Sequence, residues 1–233
     1  MTFNKNLVSV VMSCFNSEQS VTKAIESILN QSYESIELLI VDDASTDGTL
    51  NKLNSFSKKY NNIKVYKNSS NIGLTKSLNF LIDESKGQYI ARQDSDDISL
   101  NHRIQKQVEL LESYDLDFCS TRARIINSTK KIPRFSEYLP KRLVMKIKNP
   151  FIHGTLLIKK STLLEVGKYN ENYYYAQDYR LMKDLLEMNY KFKSIREPLY
   201  ELNMINNISN LKIEKQNYYA NCVKKNIKPN LIK

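Results

Sequence analysis

Residues 87–97 read Gly-Gln-Tyr-Ile-Ala-Arg-Gln-Asp-Ser-Asp-Asp, a short apolar segment that runs directly into three carboxylates. The apolar part predicts a buried strand, which places Asp94, Asp96 and Asp97 at its carboxyl end. Three acids within four residues repel one another, and a hard divalent cation with oxygen ligands removes that repulsion. A metal site is one interpretation. An acidic turn that caps a helix beginning near Leu100 is the other, and this stretch alone leaves both open.

A second apolar run, Ile36–Val41, also ends in acids, Asp42 and Asp43. In an open α/β sheet, ligands bind in the crevice outside the carboxyl ends of the strands. We therefore expect both acid clusters to face one ligand. The alternative is N-capping of the helix after Ser45 by one of these residues or by Asp47.

The first half of the chain alternates strand and helix patterns. Strands are predicted at Leu7–Cys14, Ile36–Val41, Ile63–Tyr66 and Tyr89–Ala91, and helices at Glu18–Gln31, Thr46–Tyr60, Leu74–Ser85 and Leu100–Ser113. This alternation predicts an α/β fold with a mainly parallel sheet wrapped by helices.

The second half is less regular. Strands are predicted near 117–126, 155–158 and 191–195, a mobile loop at 127–140, and helices from Gln177 and over 211–227. The last helix either packs on the domain or lies on a membrane surface.

The composition limits the classes of protein. At 233 residues and 41% hydrophobic content, the chain is long enough for one domain, 1–233, and is not disordered. No apolar run is long enough to span a bilayer, and the start lacks a signal peptide, so a cytoplasmic protein is expected. Three separated cysteines and two histidines disfavour a zinc site or a disulfide framework.

The net charge of +10 is unevenly distributed. Residues 122–148 contain nine lysines and arginines and one acid, Glu137. Such a patch suits phosphates of a lipid or substrate, and a solvated surface is the alternative. A nucleic-acid partner is disfavoured, because the clustered acids would repel a phosphate backbone.

A set of motifs in a fixed order resembles the family 2 glycosyltransferases, which are inverting enzymes of the GT-A fold. The motifs are Val8–Asn16, Val41–Thr49, Asn71–Leu74, Asp94–Asp97, His153–Thr155, Glu165–Glu171 and Gln177–Tyr179. The resemblance covers residues 7 to about 209. It implies a Rossmann-like nucleotide-sugar-binding half over 1–115 and an elaborated acceptor and catalytic-base half over 116–209. A basic C-terminal helix or tail then occupies 210–233.

The resemblance assigns the donor side of the site. Asp43 matches the family's base-binding acid and would accept the N3–H of uracil, with Ser13 as a polar contact and Phe15 as a stacking face. A place at the edge of the core is the alternative for Phe15. Asp94 and Asp96 resemble the DXD motif, in which the second acid ligates Mn²⁺ or Mg²⁺. Lys76 is a candidate for the diphosphate, although solvent exposure is its ordinary fate.

On the acceptor side, Asp178 resembles the family's catalytic base, and helix capping is its alternative role. His153 matches an acceptor-side segment. Gln177 departs from the glutamate that the family commonly has before its base. Met182, Asp184, Asn203 and Ile205 also depart from family positions.

The implied activity is that of a hexosyl- or N-acetylhexosaminyltransferase in glycan assembly. It would move a sugar from a nucleotide sugar, expected to be a UDP-sugar, to a glycan or lipid-linked acceptor, with peripheral contact at the inner membrane face through basic segments. The alternatives are a metal-dependent sugar nucleotidyltransferase and a non-catalytic sugar-nucleotide or glycan-binding module. Residues 8–20 lack the glycines and basic residues of the former's phosphate loop.

Overall fold

A parallel four-stranded sheet forms the first half of the chain. The computed structural model describes residues 3–134, 136, 138–204 and 213–230. The strands are β1 (Asn4–Cys14), β2 (Ile36–Asp42), β3 (Ile63–Lys67) and β4 (Gly87–Arg92). They pair in the order β3-β2-β1-β4, all parallel. Every residue of β2 is buried, as expected of a parallel strand covered on both faces.

Helices cover both faces of this sheet. They are α1 (Val21–Leu29), α2 (Thr49–Lys59), α3 (Leu74–Glu84) and α4 (Arg103–Ser113). Alternate residues of β1 enter two separate apolar clusters, Val11 in one and Val10 and Met12 in the other. The predicted strand and helix alternation is confirmed. Helix α4 begins three residues later than predicted because Ile98–Ser99 forms a short strand, β5.

The second half extends the same sheet with both parallel and antiparallel pairing. Its strands are β6 (Phe118–Ile125), β7 (Lys131–Ile132), β8 (Leu157–Lys159) and β9 (Phe192–Leu202). The pairing is parallel between β6 and β9 and antiparallel elsewhere in this half. The full order is β3-β2-β1-β4-β8-β6-β9-β5, with β7 on β6. Strand β8 joins the two halves, since it pairs antiparallel with both β4 and β6. The mixed pairing of this half was not predicted, and β7 lies inside the predicted loop 127–140.

The described residues of the second half include the helices α5 (Lys141–Val144), α6 (Lys160–Glu165), α7 (Gln177–Glu187) and α8 (Ile213–Lys225). A 3-10 turn spans His153–Thr155. Helix α8 packs back on the domain, because Tyr219, Cys222 and Val223 are buried with α7 in one apolar cluster. Ile205, Leu211 and the predicted boundary at 209–210 lie outside the described residues.

Among the described residues, no helix combines the length and the apolar character needed to cross a bilayer. The cysteines are free and buried, and burial raises the thiol pKa of Cys14 and Cys119. Both behave as small core residues, as predicted.

Candidate active site

The three carboxylates that follow β4 have different surroundings. Asp94 forms an ion pair with the guanidinium of Arg92, which is buried. Arg92 also donates to the carbonyl of Val11 in β1 at 3.3 Å. The backbone N–H of Asp94 donates to the hydroxyl of Tyr200 at 3.1 Å. One carboxylate oxygen of Asp94 is therefore held by the buried guanidinium of Arg92, the last residue of β4.

Asp97 turns toward strand β9. Its Oδ1 accepts the backbone N–H of Asn203 at 2.7 Å. Burial, together with repulsion from Asp94 and Asp96, raises the pKa of Asp97 to about 8. The interpretation that this acidic turn caps the next helix is wrong, because α4 begins six residues beyond Asp97. Asp97 instead ties the acidic turn to the end of β9.

The acidic turn has the electrostatic character of a cation site. Burial and the charge of Asp94 raise the pKa of Asp96 to about 6, so the ionised cluster is destabilised until a positive charge joins it. No ion pair to Asp96 is present among the described residues. Nowhere among the residues that the structure describes are three His, Cys, Asp or Glu side chains arranged to hold a metal ion. A cation at Asp96 would complete its shell with water and ligand oxygens.

The second acid cluster, at the end of β2, has a structural role as well. Asp43 is buried, and its Oδ1 accepts Asn68 Nδ2 at 2.7 Å and the N–H of Ile72 at 2.9 Å. Its Oδ2 accepts the N–H of Gly73 at 2.9 Å. Gly73 has a φ of +88°, and an added Cβ would lie 2.7 Å from the Tyr174 ring. Asp43 thus fixes the loop that leads into α3 and retains acceptor capacity on Oδ2.

Helix capping does not explain Asp42 or Asp43. Asp42 Oδ2 accepts the N–H of Ser45 at 3.2 Å, while its buried Oδ1 has no hydrogen-bond partner among the described residues. Asp47 instead accepts the N–H of Thr49, the first residue of α2, at 3.0 Å. Of the three candidates, only Asp47 serves the helix start.

The remaining donor-side candidates lie at the same edge of the sheet or just beyond it. Ser13 is half-buried near the end of β1, in register with Val41 of β2. Phe15 follows β1 with 49% of its surface exposed, so it is not a core residue. Lys76 is exposed on α3. The structure places Ser13 near the end of β1, beside the β2 residue that comes two positions before Asp43, and leaves Lys76 on the solvent side of its helix.

The base candidate, Asp178, lies in the first turn of α7. Capping is not its role, since the N-cap residue is Ala176 and no side-chain bond caps the helix. Asp178 Oδ2 accepts the side-chain amide of Asn149 at 2.8 Å. Asn149 Oδ1 accepts the N–H of Phe151 at 3.0 Å, which fixes which end of the amide faces the carboxylate. Sequence reasoning missed Asn149. The Asn-Pro pair at 149–150 indicates only a turn.

His153 shares a hydrogen bond of 2.7 Å with the hydroxyl of Tyr169. Burial and, as a smaller cause, the charge of Arg92 together lower the pKa of His153 to about 4, against the opposing charges of Asp178 and Asp94. His153 is therefore neutral near pH 7. The turn that carries His153 lies against the end of β4, because Arg103 donates to the carbonyl of Gly154 at 2.7 Å and to that of Arg92 at 3.0 Å.

Four of the five residues that depart from the family pattern lie among the described residues. Gln177 is buried, and its Oε1 has no partner among the described residues. Met182 is in the core, and Asp184 pairs with Arg180 one turn earlier. Asn203 contacts Asp97 through its backbone, so that contact does not depend on the side chain.

Comparison with known proteins gives a consistent result. The model of Glycosyl transferase family 2 matches residues 9–186. EpsE of Bacillus subtilis (strain 168), described as a glycosyltransferase, is 34% identical over 84% of this chain and 72% of its own length. The Escherichia coli O-antigen biosynthesis glycosyltransferase WbnJ is 32% identical over 78% of this chain and 72% of the relative. The Escherichia coli UDP-Glc:alpha-D-GlcNAc-diphosphoundecaprenol beta-1,3-glucosyltransferase WfgD is 29% identical over 78% and 71%.

Solved structures show the same fold. TarS 1–349 of S. aureus, also solved with UDP and with UDP-GlcNAc, superposes with a TM-score of 0.73 at 21% identity over 84% of this chain. The mannosyltransferase PcManGT from Pyrobaculum calidifontis, in complex with GDP-Man and Mn²⁺, gives 0.75 at 16% identity over 97%. This chain spans 60% and 65% of those two chains. The likeness confirms the predicted GT-A fold.

Proposed function

The chain belongs to glycosyltransferase family 2, and we propose that it transfers a hexose or N-acetylhexosamine from a UDP-sugar, with inversion, to a hydroxyl of a lipid-linked glycan. The observation that carries this proposal is the convergence at the end of β4. There the backbone N–H of Arg92 donates to the carbonyl of Leu156 at 2.9 Å, and Arg103 donates to the carbonyls of both Arg92 and Gly154, so the turn that carries His153 packs against the strand that leads into the acidic turn. Membership of the family favours transfer over the nucleotidyltransferase and the non-catalytic binding module.

The donor nucleotide is proposed to lie across the ends of β1 and β2. Phe15 offers an exposed aromatic face for the base, and Asp43 Oδ2 has acceptor capacity for the N3–H of uracil. WfgD is named for a UDP-Glc donor and TarS is solved with UDP and UDP-GlcNAc, which support a uridine nucleotide over the guanosine nucleotide of the PcManGT complex. Ser13 supplies a polar contact in this arrangement. Lys76, exposed on α3, is the least supported member of the donor set.

Asp96 is the proposed ligand of Mn²⁺ or Mg²⁺, with Asp94 beside it. The ion pair with Arg92 occupies one oxygen of Asp94, whereas no described cation pairs with Asp96. When bound, the cation stabilises the negative charge that develops on the departing nucleoside diphosphate. The Mn²⁺ in the PcManGT complex supports a metal of this class.

Asp178 is the proposed general base, which removes the proton of the acceptor hydroxyl. Asn149 holds Oδ2 and leaves Oδ1 to face the acceptor. His153, neutral and bonded to Tyr169, is proposed to line the acceptor side without carrying charge.

The acceptor class is supported by the name of one relative. WfgD is named for a diphosphoundecaprenol-linked acceptor, which is a lipid. A lipid-linked acceptor at the inner face of the cytoplasmic membrane would place this chain in the cytoplasm as a peripheral protein. The donor sugar depends on loop contacts with its hydroxyl groups, and the residues described above do not select among sugars.

Calorimetry with UDP tests the donor and metal assignments together. We expect binding in the presence of Mn²⁺ or Mg²⁺ and a loss of affinity when a chelator is added. Asp96→Asn should abolish this metal dependence, and Lys58→Gln, an exposed residue near the end of α2, should not change it. Equal UDP affinity with and without chelator would contradict the metal assignment. Tighter binding of a nucleoside triphosphate with release of pyrophosphate would contradict the reaction class.

A further inference from the structure

Helix α5 and the turn that follows it present an unusual outer surface. Backbone hydrogen bonds of the i to i+4 and i to i+3 type continue from Pro140 through Lys148. Lys141, Val144 and Met145 face inward and are buried. The opposite side consists of exposed basic and aliphatic residues, which we call the α5 outer face. Its members are Leu139, Arg142, Leu143, Lys146 and Ile147.

The α5 outer face exposes three large aliphatic side chains. Ile147 is 71% exposed, the highest value among the large hydrophobic side chains of the described residues, and Leu143 and Leu139 are 59% and 54% exposed. Leu143 and Ile147 are four residues apart and are preceded by Arg142 and Lys146. Basic and apolar side chains thus lie on the same side of two successive turns.

This face is fixed to the helix that carries Asp178. The hydroxyl of Tyr179 in α7 donates to the carbonyl of Met145 at 2.5 Å, and Arg142 donates to the carbonyl of Leu186 at the other end of α7. Asn149, which holds Asp178, is two residues beyond Ile147. A surface bound to this face would therefore be held close to the acceptor side of the site.

We propose that the α5 outer face binds the surface of an anionic lipid bilayer. The aliphatic side chains would enter the boundary between headgroups and acyl chains, and the basic side chains would contact anionic headgroups. Residues 138–148 contain four basic residues and no acid. The inference rests on the proposed function in one respect, since a lipid-linked acceptor would be presented by that bilayer.

Two other binding partners would fit the basic and aliphatic side chains of the α5 outer face less well. A second copy of this chain paired across a two-fold axis would bring two sets of like charges together. A nucleic-acid backbone would match the basic residues and leave three aliphatic side chains without an apolar partner.

The basic residues of 122–148 differ in the contacts that they already make within the chain. Arg124 pairs with Glu201, and Lys141 is buried and donates to Ser136. Lys146 and Lys148 are exposed, and neither forms an ion pair with a described residue. Lys146 is therefore the charge to remove, together with Ile147.

The test is co-sedimentation of the full chain with vesicles of neutral phosphatidylcholine, with or without phosphatidylglycerol, at several salt concentrations. The unmodified chain should bind the anionic vesicles, less at high salt, and not the neutral ones. Lys146→Gln/Ile147→Gln should lower this binding about tenfold or more. The matched control is Lys58→Gln/Ile213→Gln, which removes the same residue types at exposed positions on α2 and α8 and should bind as the parent does.

Two further measurements on each variant separate the outcomes. Calorimetry with UDP should give the parent's affinity for Lys146→Gln/Ile147→Gln, so that a loss of vesicle binding is not a loss of the donor site. Equal binding by both double variants, equal binding to neutral and anionic vesicles, or no vesicle binding at all would overturn the proposal. A change in sedimentation velocity confined to Lys146→Gln/Ile147→Gln would also overturn it, by identifying the face as a contact between copies. Failure of UDP binding with intact vesicle binding would instead count against the proposed function.

Discussion

The proposed donor and acceptor sides of the site hold their principal carboxylates in different ways. Asp43 is buried and accepts three hydrogen bonds, two of them from the backbone of the loop before α3. Asp178 accepts one, from the side chain of Asn149. A carboxylate with three fixed donors is part of the fold, whereas one with a single side-chain donor can change its contacts with little structural cost. The comparison suggests that the chain builds a rigid donor side and an adjustable acceptor side.

The largest expected effect concerns Asp178 itself. Asp178→Asn removes the proposed base but keeps the shape of the side chain, so transfer should fall by roughly a hundredfold or more while UDP affinity stays unchanged. Sugar transfer and calorimetry on the same preparation measure both quantities. Asp184→Asn, which lies on the same helix and pairs with Arg180, is the control. Transfer at the parental rate by Asp178→Asn would show that the base is elsewhere.

The second prediction compares how much Asp43 and Asp178 contribute to stability, where the larger effect is expected for Asp43. Asp43→Ala leaves the N–H groups of Ile72 and Gly73 and the amide of Asn68 without their acceptor, and should lower the free energy of unfolding by about 3 kcal/mol. Asp178→Ala removes one partner at a partly exposed site and should cost less than about 1 kcal/mol. Urea denaturation measures both. Similar losses for the two variants would contradict the contrast between a rigid and an adjustable side.

The third prediction concerns the positioning of the base by Asn149. Asn149→Ala should lower kcat about tenfold, because Asp178 loses the donor that orients it, and should leave the KM for the donor sugar unchanged. Asn149→Asp places a second carboxylate against Asp178 and should lower kcat further. A rise in the donor KM with constant kcat would mean that Asn149 acts on the donor side.

The two halves also differ in how far their structure follows from sequence. The strands and helices of the first half come from regular apolar patterns. Helices α1, α2 and α4 each begin three residues later than predicted, and for α4 the cause is non-local. Ile98–Ser99 pairs with β9, about a hundred residues later in the chain, and delays α4 to Arg103. Helices α5 and α6 are too short, at four and six residues, to show a periodic pattern.

The same distinction applies to the site. The acids at the ends of β2 and β4 follow from strand ends and a motif resemblance, and the structure places both at one edge of the sheet. Arg92 and Asn149 were not predicted, since a basic residue at a strand end and an Asn-Pro turn are ordinary surface features. Their roles depend on partners that only the fold brings together, Val11 for Arg92 and Asp178 for Asn149.

The smallest expected effect is the pH dependence caused by His153. Its pKa is about 4 in the folded chain against 6.5 when solvated, so between these values the unfolded chain binds more protons. The contribution of His153 to the free energy of unfolding is therefore fully present above pH 6.5 and is lost as the pH falls toward 4. Between pH 7 and 5.5 this loss is about 1 kcal/mol. His153→Gln should remove this part of the slope, and His102→Gln, an exposed residue, should retain it. Urea denaturation at both pH values gives the slopes. If His153→Gln and the parent lose the same stability between them, His153 is solvated in the folded chain, and the acceptor side is more open than the geometry around Tyr169 indicates.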